Sequence, residues 1–443
     1  MTLDWRRCMS AARFGSPVDD TTVARTPFQR DYDRILFSGS FRRLADKTQV
    51  FPLPYDDHVH SRLTHSLEVA SIGRSLGTLV GTREFARDPS LRGTLDARDF
   101  GDCVAAACLA HDLGNPPFGH VGEDAIREFF DRERPFWDEL TERQRRDLLR
   151  FEGNAQTFRI VTRLERPTRP GGLQLAHATI GALVKYPCSA LAADSASSGK
   201  STRKPGLFDG DVAQWGTIAE ALGLGSPLPE RWVRHPLAWL TEAADDIAYL
   251  LLDLEDGLRL RHVPEALFLD LLEPFAAGDP RTPDLAPGGE YAARMDRADL
   301  LRAIAVNTLV HDAADAFDAA REQILAGRFT ADLRASMRHR DAMKRIQGVC
   351  VEHCYRARDV LKMELAGAEA IQGLLAFFVS ALREADSLRG VHMRQLYPRL
   401  FQPDTSVYER LLRLTDHVSG MTDHYAVRLY RELRGMRYPG GRD

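Results

Sequence analysis

Apolar residues recur at helical spacing through most of this 443-residue chain, and the strict alternation of a half-buried strand is scarce. Residues 61–80 carry Leu63, Leu67, Ala70 and Leu76 near helical spacing. Residues 102–112, DCVAAACLAHD, are apolar on most sides, as a buried helix must be. Residues 236–258 begin at Pro236, which a first helical turn tolerates. They align Leu240, Ala244, Ile247, Leu251 and Leu254 in one stripe. Segments 299–325, 339–385 and 406–436 read as further long helices. The predicted class is all-α, with a short hairpin near 48–56 as its one exception.

Composition narrows what such a chain does. Hydrophobic residues make up 44% and charged residues 28%, enough for a large core in a chain that stays in solution. The length predicts two or three domains or one large helical body. No run of eighteen or more apolar residues is present, and the N-terminus lacks the apolar stretch of a secretory signal. The expectation is a cytoplasmic protein without a membrane span. The six cysteines are scattered and include no C-x-x-C, so free thiols are expected. CVEHC at 350–354 lacks a second pair of ligands for zinc and reads as helix. A net charge of −4 argues against a nucleic-acid binder held by bulk charge, but the 59 Lys and Arg leave room for a local anion pocket. RLERPTR (163–169) and MKRIQ (343–347) read as solvated faces.

Two segments read as non-helical. Residues 188–206 are rich in Ser, Ala and Gly and are expected to form a mobile loop. Within them SGKST imitates a phosphate-binding loop. Asp194 stands where that motif needs its first glycine, and no strand precedes it. Residues 273–297, rich in Pro and Gly, read as a surface connection.

The stretch CLAHDLGNPPFGH, 108–120, carries the chemistry. A core helix has no need of an imidazole beside a carboxylate. Together, His111 and Asp112 suit a divalent transition metal. Adjacent helix residues point about 100° apart, so both reach one ion only where the helix ends or the ion lies between them. Gly114 and Pro116 supply an ending. Further ligands must come from other helices: His65 on 61–80, and Asp245 or Asp246 on 236–258. Asp245, Tyr249 and Asp253 fall at i, i+4 and i+8 along one polar stripe. Helical geometry alone does not choose between the two aspartates. His120 and Glu123, at i and i+3, share a face if a helix starts near Gly119. A Glu beside a His raises its basicity and fixes its orientation. Arg62, three residues before His65, shares its face and is a candidate anion clamp, with Arg43 and Lys47 behind it. In FEGNAQ (151–156), Asn154 and Gln156 carry amides that can both donate and accept hydrogen bonds.

These pieces resemble a family. RDYDRILFSGSFRRLADKTQVF (30–51), RLTHSLEVASIGRSLG (62–77), AHDLGNPPFGHVGEDAI (110–126), FEGNAQTFRI (151–160) and LTEAADDIAYLLLDLED (240–256) are similar, in order, to segments of HD-domain phosphohydrolases. The likeness is closest to bacterial deoxynucleoside triphosphate triphosphohydrolases of the deoxyguanosine triphosphatase type. It implies an HD helical fold with a large helical C-terminal extension. The expected division is an N-terminal arm and motif region (1–60), a catalytic core (61–260) and a helical region (261–443).

It also implies His65, His111, Asp112 and Asp245 as ligands of a divalent metal such as Mn²⁺, Mg²⁺, Co²⁺ or Fe²⁺, with the first aspartate of DDIAY as the last ligand. His120 and Glu123 become proton handlers. Arg62, Asn115, Asn154, Lys185, Tyr249 and Asp253 become substrate contacts. The implied reaction converts a dNTP to deoxynucleoside and tripolyphosphate. The implied partners are the dNTP, further copies of the chain in a homo-oligomer such as a hexamer, and a dNTP effector or single-stranded DNA. The competing readings are an HD hydrolase of a nucleoside monophosphate, cyclic dinucleotide or alarmone, and a nucleotide- or DNA-binding assembly with a structural metal.

Overall fold

The computed structural model describes residues 2–14, 25–52, 58–193, 199–277, 291–402 and 405–436. It is built from helices, and no strand occurs among the described residues. The hairpin expected near 48–56 is not formed. A single antiparallel bridge joins Thr48 to Ser61, and residues 53–57 lie outside the described part.

Six helices build the site: α1 (Arg62–Arg87), α2 (Ala97–Ala110), α3 (His120–Glu133), α4 (Pro236–Arg259), α5 (Arg358–Arg383) and α6 (Asp423–Leu433). A capping box fixes the start of α1, with the Ser61 hydroxyl accepting from Thr64 N and the Thr64 hydroxyl from Ser61 N. Pro236 opens α4 as expected, and the His235 ring accepts from Leu237 N. α2 packs along α1 and α4 and is buried nearly all round, which explains its Ala-rich, uniformly apolar sequence.

Two cores result. The larger gathers α1, α2 and α4 with the N-terminal helices and those between residues 265 and 360. The smaller joins Ile126, Phe129 and Phe130 of α3 to Ile371, Leu374 and Phe378 of α5 and Leu429 of α6. α5 is long and apolar enough to cross a membrane, with mean hydropathy 1.7 over its most apolar window. Its apolar residues Ile371, Leu374, Leu375 and Phe378 are spent on the second core.

Two expected long helices are broken. The 339–385 segment divides into Arg340–Val349, a π-turn over Cys350–Tyr355, and α5. The π-turn follows its contacts with α4: Cys354 Sγ donates to Asp253 O at 3.7 Å and Tyr355 OH to Asp253 Oδ2 at 2.7 Å. The 406–436 segment divides into Val407–Ser419 and α6, where Thr422 starts a new helix by accepting from Tyr425 N. All six cysteines are buried free thiols. Residues 199–206 of the expected loop are placed, and residues 194–198 lie outside the described part. So do 278–290 of the expected surface connection.

Candidate active site

α1, α2 and α4 bring three side chains from distant sequence to one point. Asp245 Oδ1 lies 3.3 Å from His65 Nε2 and 3.3 Å from His111 Nε2. One ligand atom from each of these residues falls within 4.8 Å of the others. Asp112 Oδ1 stands 3.4 Å from His111 Nε2. Asp246 lies among the charges of Glu242, Lys200, Asp332 and Arg334, and burial together with the Glu242 charge pushes its carboxyl up to about 7.

The local chemistry suits a cation. His111 Nδ1 lies 2.6 Å from Cys108 O. That carbonyl can only accept, so Nδ1 carries the proton and Nε2 presents a lone pair. His111 Nε2 is buried, makes no hydrogen bond, and faces two carboxylates. A lone pair opposed to two anions is costly when buried, and a divalent cation at their shared focus resolves the conflict. Burial would drive Asp245 toward neutrality. The opposing charge of Lys185, whose Nζ donates to its Oδ2 at 2.7 Å, works against that, and Asp245 is held well below the ordinary carboxylate range.

The break after His111 and Asp112 is held from below. Thr157 Oγ1 accepts from Gly114 N at 2.9 Å and donates to His111 O at 3.2 Å. Asn115 Nδ2 donates to Asp112 Oδ1 at 2.6 Å, and Arg62 Nη1 to Asp112 Oδ2 at 2.6 Å. The chain then passes through two left-handed residues, Phe118 (φ 61°) and Gly119 (φ 59°). Glycine adopts that conformation freely. For Phe118 it costs about 1–3 kcal/mol, so other contacts must hold it.

α3 begins at His120, as the sequence suggested. His120 is 78% exposed at the cavity mouth, and its Nδ1 lies 2.9 Å from Oε2 of Glu123, which is 1% exposed. That bond and the Glu123 charge raise the His120 pKa. Burial would raise Glu123 as well, but its bond to His120 helps hold the carboxyl below its ordinary value. Gly153 N donates to Glu123 Oε1 at 2.6 Å, so FEGNAQ orients the buried acid.

These groups surround a cavity of about 520 Å³. Arg62, His65, His111, Asp112, Asn115, His120, Asn154, Lys185, Asp245, Tyr249 and Asp253 all line it, and Glu123 stands behind His120. Three other candidates lie off the lining. Gln156 donates to Asp416 at 3.0 Å. Lys47 is spent on the carbonyls of Asn115 and Ser419, at 2.5 and 2.8 Å. Arg43 donates to Ser40. Asp253 is buried and takes the Tyr355 phenol, and burial pushes its carboxyl up to about 7.

The sequence reading missed Gln49, Lys200, Lys204 and Tyr355, which also line the cavity. Gln49 Oε1 is buried without a hydrogen-bond partner. Lys200 belongs to the rejected SGKST segment and pairs with Asp332 at 2.5 Å, while Lys204 pairs with Glu152 at 2.8 Å. A polar loop carrying two lysines was the available signal for both. Arg62, Lys185, Lys200 and Lys204 bring four cationic groups to a cavity whose lining also holds the acids Asp112, Glu242, Asp245, Asp246, Asp253 and Glu364.

Comparison with known proteins identifies the family. Residues 62–169 match the HD domain, and residues 333–432 match the phosphohydrolase-associated domain. The chain is 40% identical to a deoxyguanosinetriphosphate triphosphohydrolase-like protein of Synechocystis sp., over 98% of this chain and 100% of that one. It is 39% identical to a protein of the same description from Pseudomonas aeruginosa, over 99% and 100%. A deoxyguanosinetriphosphate triphosphohydrolase of Serratia proteamaculans is 30% identical, over 97% and 99%. The chain belongs to the HD-domain deoxynucleoside triphosphate triphosphohydrolase family.

Proposed function

We propose that this chain is a cytoplasmic enzyme that hydrolyses dNTPs to deoxynucleoside and tripolyphosphate. The observation that carries the reading is the convergence of His65, His111 and Asp245 beside Asp112, next to the His120–Glu123 pair, in a cavity that also presents Arg62, Lys185, Lys200 and Lys204. His65, His111, Asp112 and Asp245 are the residues that would hold the metal. When bound, a divalent cation supplies Lewis-acid chemistry, neutralising charge at the α-phosphate and favouring water as the nucleophile. Two imidazoles and two carboxylates suit Mn²⁺, Fe²⁺, Co²⁺ or Mg²⁺ better than a closed structural zinc site.

The chain's own residues divide the remaining work. Water adds to the α-phosphorus, the bond to the 5′-oxygen breaks, and a proton must move from the water to that oxygen. His120 is the group that takes and returns it, with Nδ1 tied to Glu123 and Nε2 left for the transfer. Arg62, Lys185, Lys200 and Lys204 neutralise the polyphosphate. Asn115 and Asn154 supply polar contacts. Tyr249 and Asp253 bind the sugar, and Tyr249 against its face leaves no space for a 2′-hydroxyl. dGTP should therefore turn over faster than GTP, and equal rates would contradict this role for Tyr249.

The test is incubation with each dNTP and each of the four cations, with identification of the phosphorus products. Tripolyphosphate with free deoxynucleoside is expected. Orthophosphate or pyrophosphate as the sole product would contradict the reading. Homo-oligomerisation and a response to a dNTP effector or single-stranded DNA rest on the family resemblance. The same assay with those additions, beside a measurement of molecular mass, reads them.

A further inference from the structure

The C-terminal third carries no recognised catalytic motif, yet one of its acids reaches the cavity wall. Asp423, the first residue of α6, is 5% exposed. Its Oδ1 accepts from Phe118 N at 3.0 Å and its Oδ2 from Thr48 N at 2.9 Å. Phe118 and Thr48 both line the cavity, from segments far apart in the sequence. Both bonds go to main-chain N–H groups, so they fix the path of the backbone.

That path matters at both places. Phe118 is left-handed and two residues before His120, so its N–H bond holds the strained approach to the proton-transferring histidine. Thr48 immediately precedes Gln49, whose amide oxygen is buried without a hydrogen-bond partner. A carboxylate can accept at both oxygens at once, whereas an amide offers one acceptor and one donor. Lys47 ties the same turn to the same two segments, through Asn115 O and Ser419 O.

We propose that Asp423 is a positioning residue for the substrate cavity, holding the backbone at Thr48 and Phe118 from the C-terminal helix and so placing Gln49 and His120. This rests on the functional reading above, and it gives the C-terminal region a part in nucleotide binding.

The test compares full-length wild type, Asp423→Ala, Asp423→Asn and Tyr430→Phe. Tyr430 lies on the same helix, donates to Glu369 at 2.8 Å and accepts from Arg434 Nε at 3.4 Å, away from the cavity, so its variant loses two hydrogen bonds, as Asp423→Ala does. Two quantities are read: KM for dGTP with Mn²⁺, and amide hydrogen exchange in peptides covering 47–51 and 115–120. Asp423→Ala should raise KM about tenfold or more and speed exchange at Thr48 and Phe118 by a similar factor, the scale of losing charge-assisted hydrogen bonds. Its metal content should stay as in wild type, because Asp423 bonds to Phe118 N and Thr48 N and to none of the four metal-binding side chains, while kcat should fall as His120 loses its placement. Tyr430→Phe should change neither KM nor exchange at the two sites.

If Asp423→Ala does not fold, Asp423→Asn decides. It keeps one acceptor, its NH₂ opposes the second N–H, and it should give a smaller rise of the same kind. Wild-type KM and wild-type protection in a folded Asp423 variant would overturn the proposal. So would an equal rise in KM for Tyr430→Phe. If wild type turns over no dNTP, the functional reading fails, and the exchange comparison still decides what Asp423 holds.

Discussion

His120 and Glu123 show what a single pair sets in this site. The acid is buried and oriented by Gly153 N, while the imidazole stands exposed at the cavity mouth. His120→Ala should lower turnover by about 10²–10⁴-fold, the usual range for losing a proton-transfer group, while metal and nucleotide still bind. Near-normal turnover by that variant would remove His120 from the mechanism. The pH dependence follows from the raised His120 pKa. An imidazole that must accept a proton fails as pH falls through its pKa. Glu123→Gln removes the charge that raises it, so the acidic limb of the kcat profile should move to lower pH. A limb that stays in place would contradict the pairing. At this scale the motif residues were legible because HD, GHVGE and DDIAY are short and local. Gln49, Tyr355 and Asp423 were not, because what distinguishes them is a partner or a cavity far away in sequence.

Periodicity revealed where helices run, and hid where they break. The 339–385 segment keeps helical spacing across Cys350–Tyr355, yet one turn there is π, drawn out by contacts of Cys354 and Tyr355 with α4. No local pattern records that pull. The start of α6 at Thr422 is similar: Ser, Gly and Thr near 419–422 mark a stop only once the tertiary fold uses it. Close approach between elements is equally silent in sequence. At Gly367 of α5, an added Cβ would fall 2.4 Å from the Phe118 ring. Gly367→Ala should push that ring toward the cavity, cost about 1–3 kcal/mol of stability as overpacking usually does, and raise KM with metal content unchanged. A steady-state series with a thermal melt checks it. A stability loss with unchanged KM would show that Phe118 shifts without consequence for the substrate.

Among the described residues two apolar cores flank the active-site cavity, and α3 belongs to both the catalytic motif and the second core. The all-α class was readable from spacing alone. The assignment of C-terminal helices to a core under the HD motif was not, because α5 could equally be an apolar surface or a packed helix until its partners are known. Asp147 shows a cost of that packing. It is 2% exposed, accepts from Tyr408 OH and Asp209 N, and burial pushes its carboxyl up to about 7 from 3.8. A folded pKa above the unfolded one means stability is lost as pH rises from about 4 through about 7. Asp147→Asn takes up no proton, so its stability relative to wild type should improve between pH 5 and pH 8 in parallel melts. A constant difference would contradict the buried-acid assignment.

The central claim is that three separate helices focus two imidazoles and two carboxylates on one cation. Its most direct test is an equilibrium Mn²⁺ titration, followed by electron paramagnetic resonance, of wild type and His111→Ala. One tight site in wild type that is lost in the variant is the predicted result. An unchanged site in a folded His111→Ala protein would contradict it.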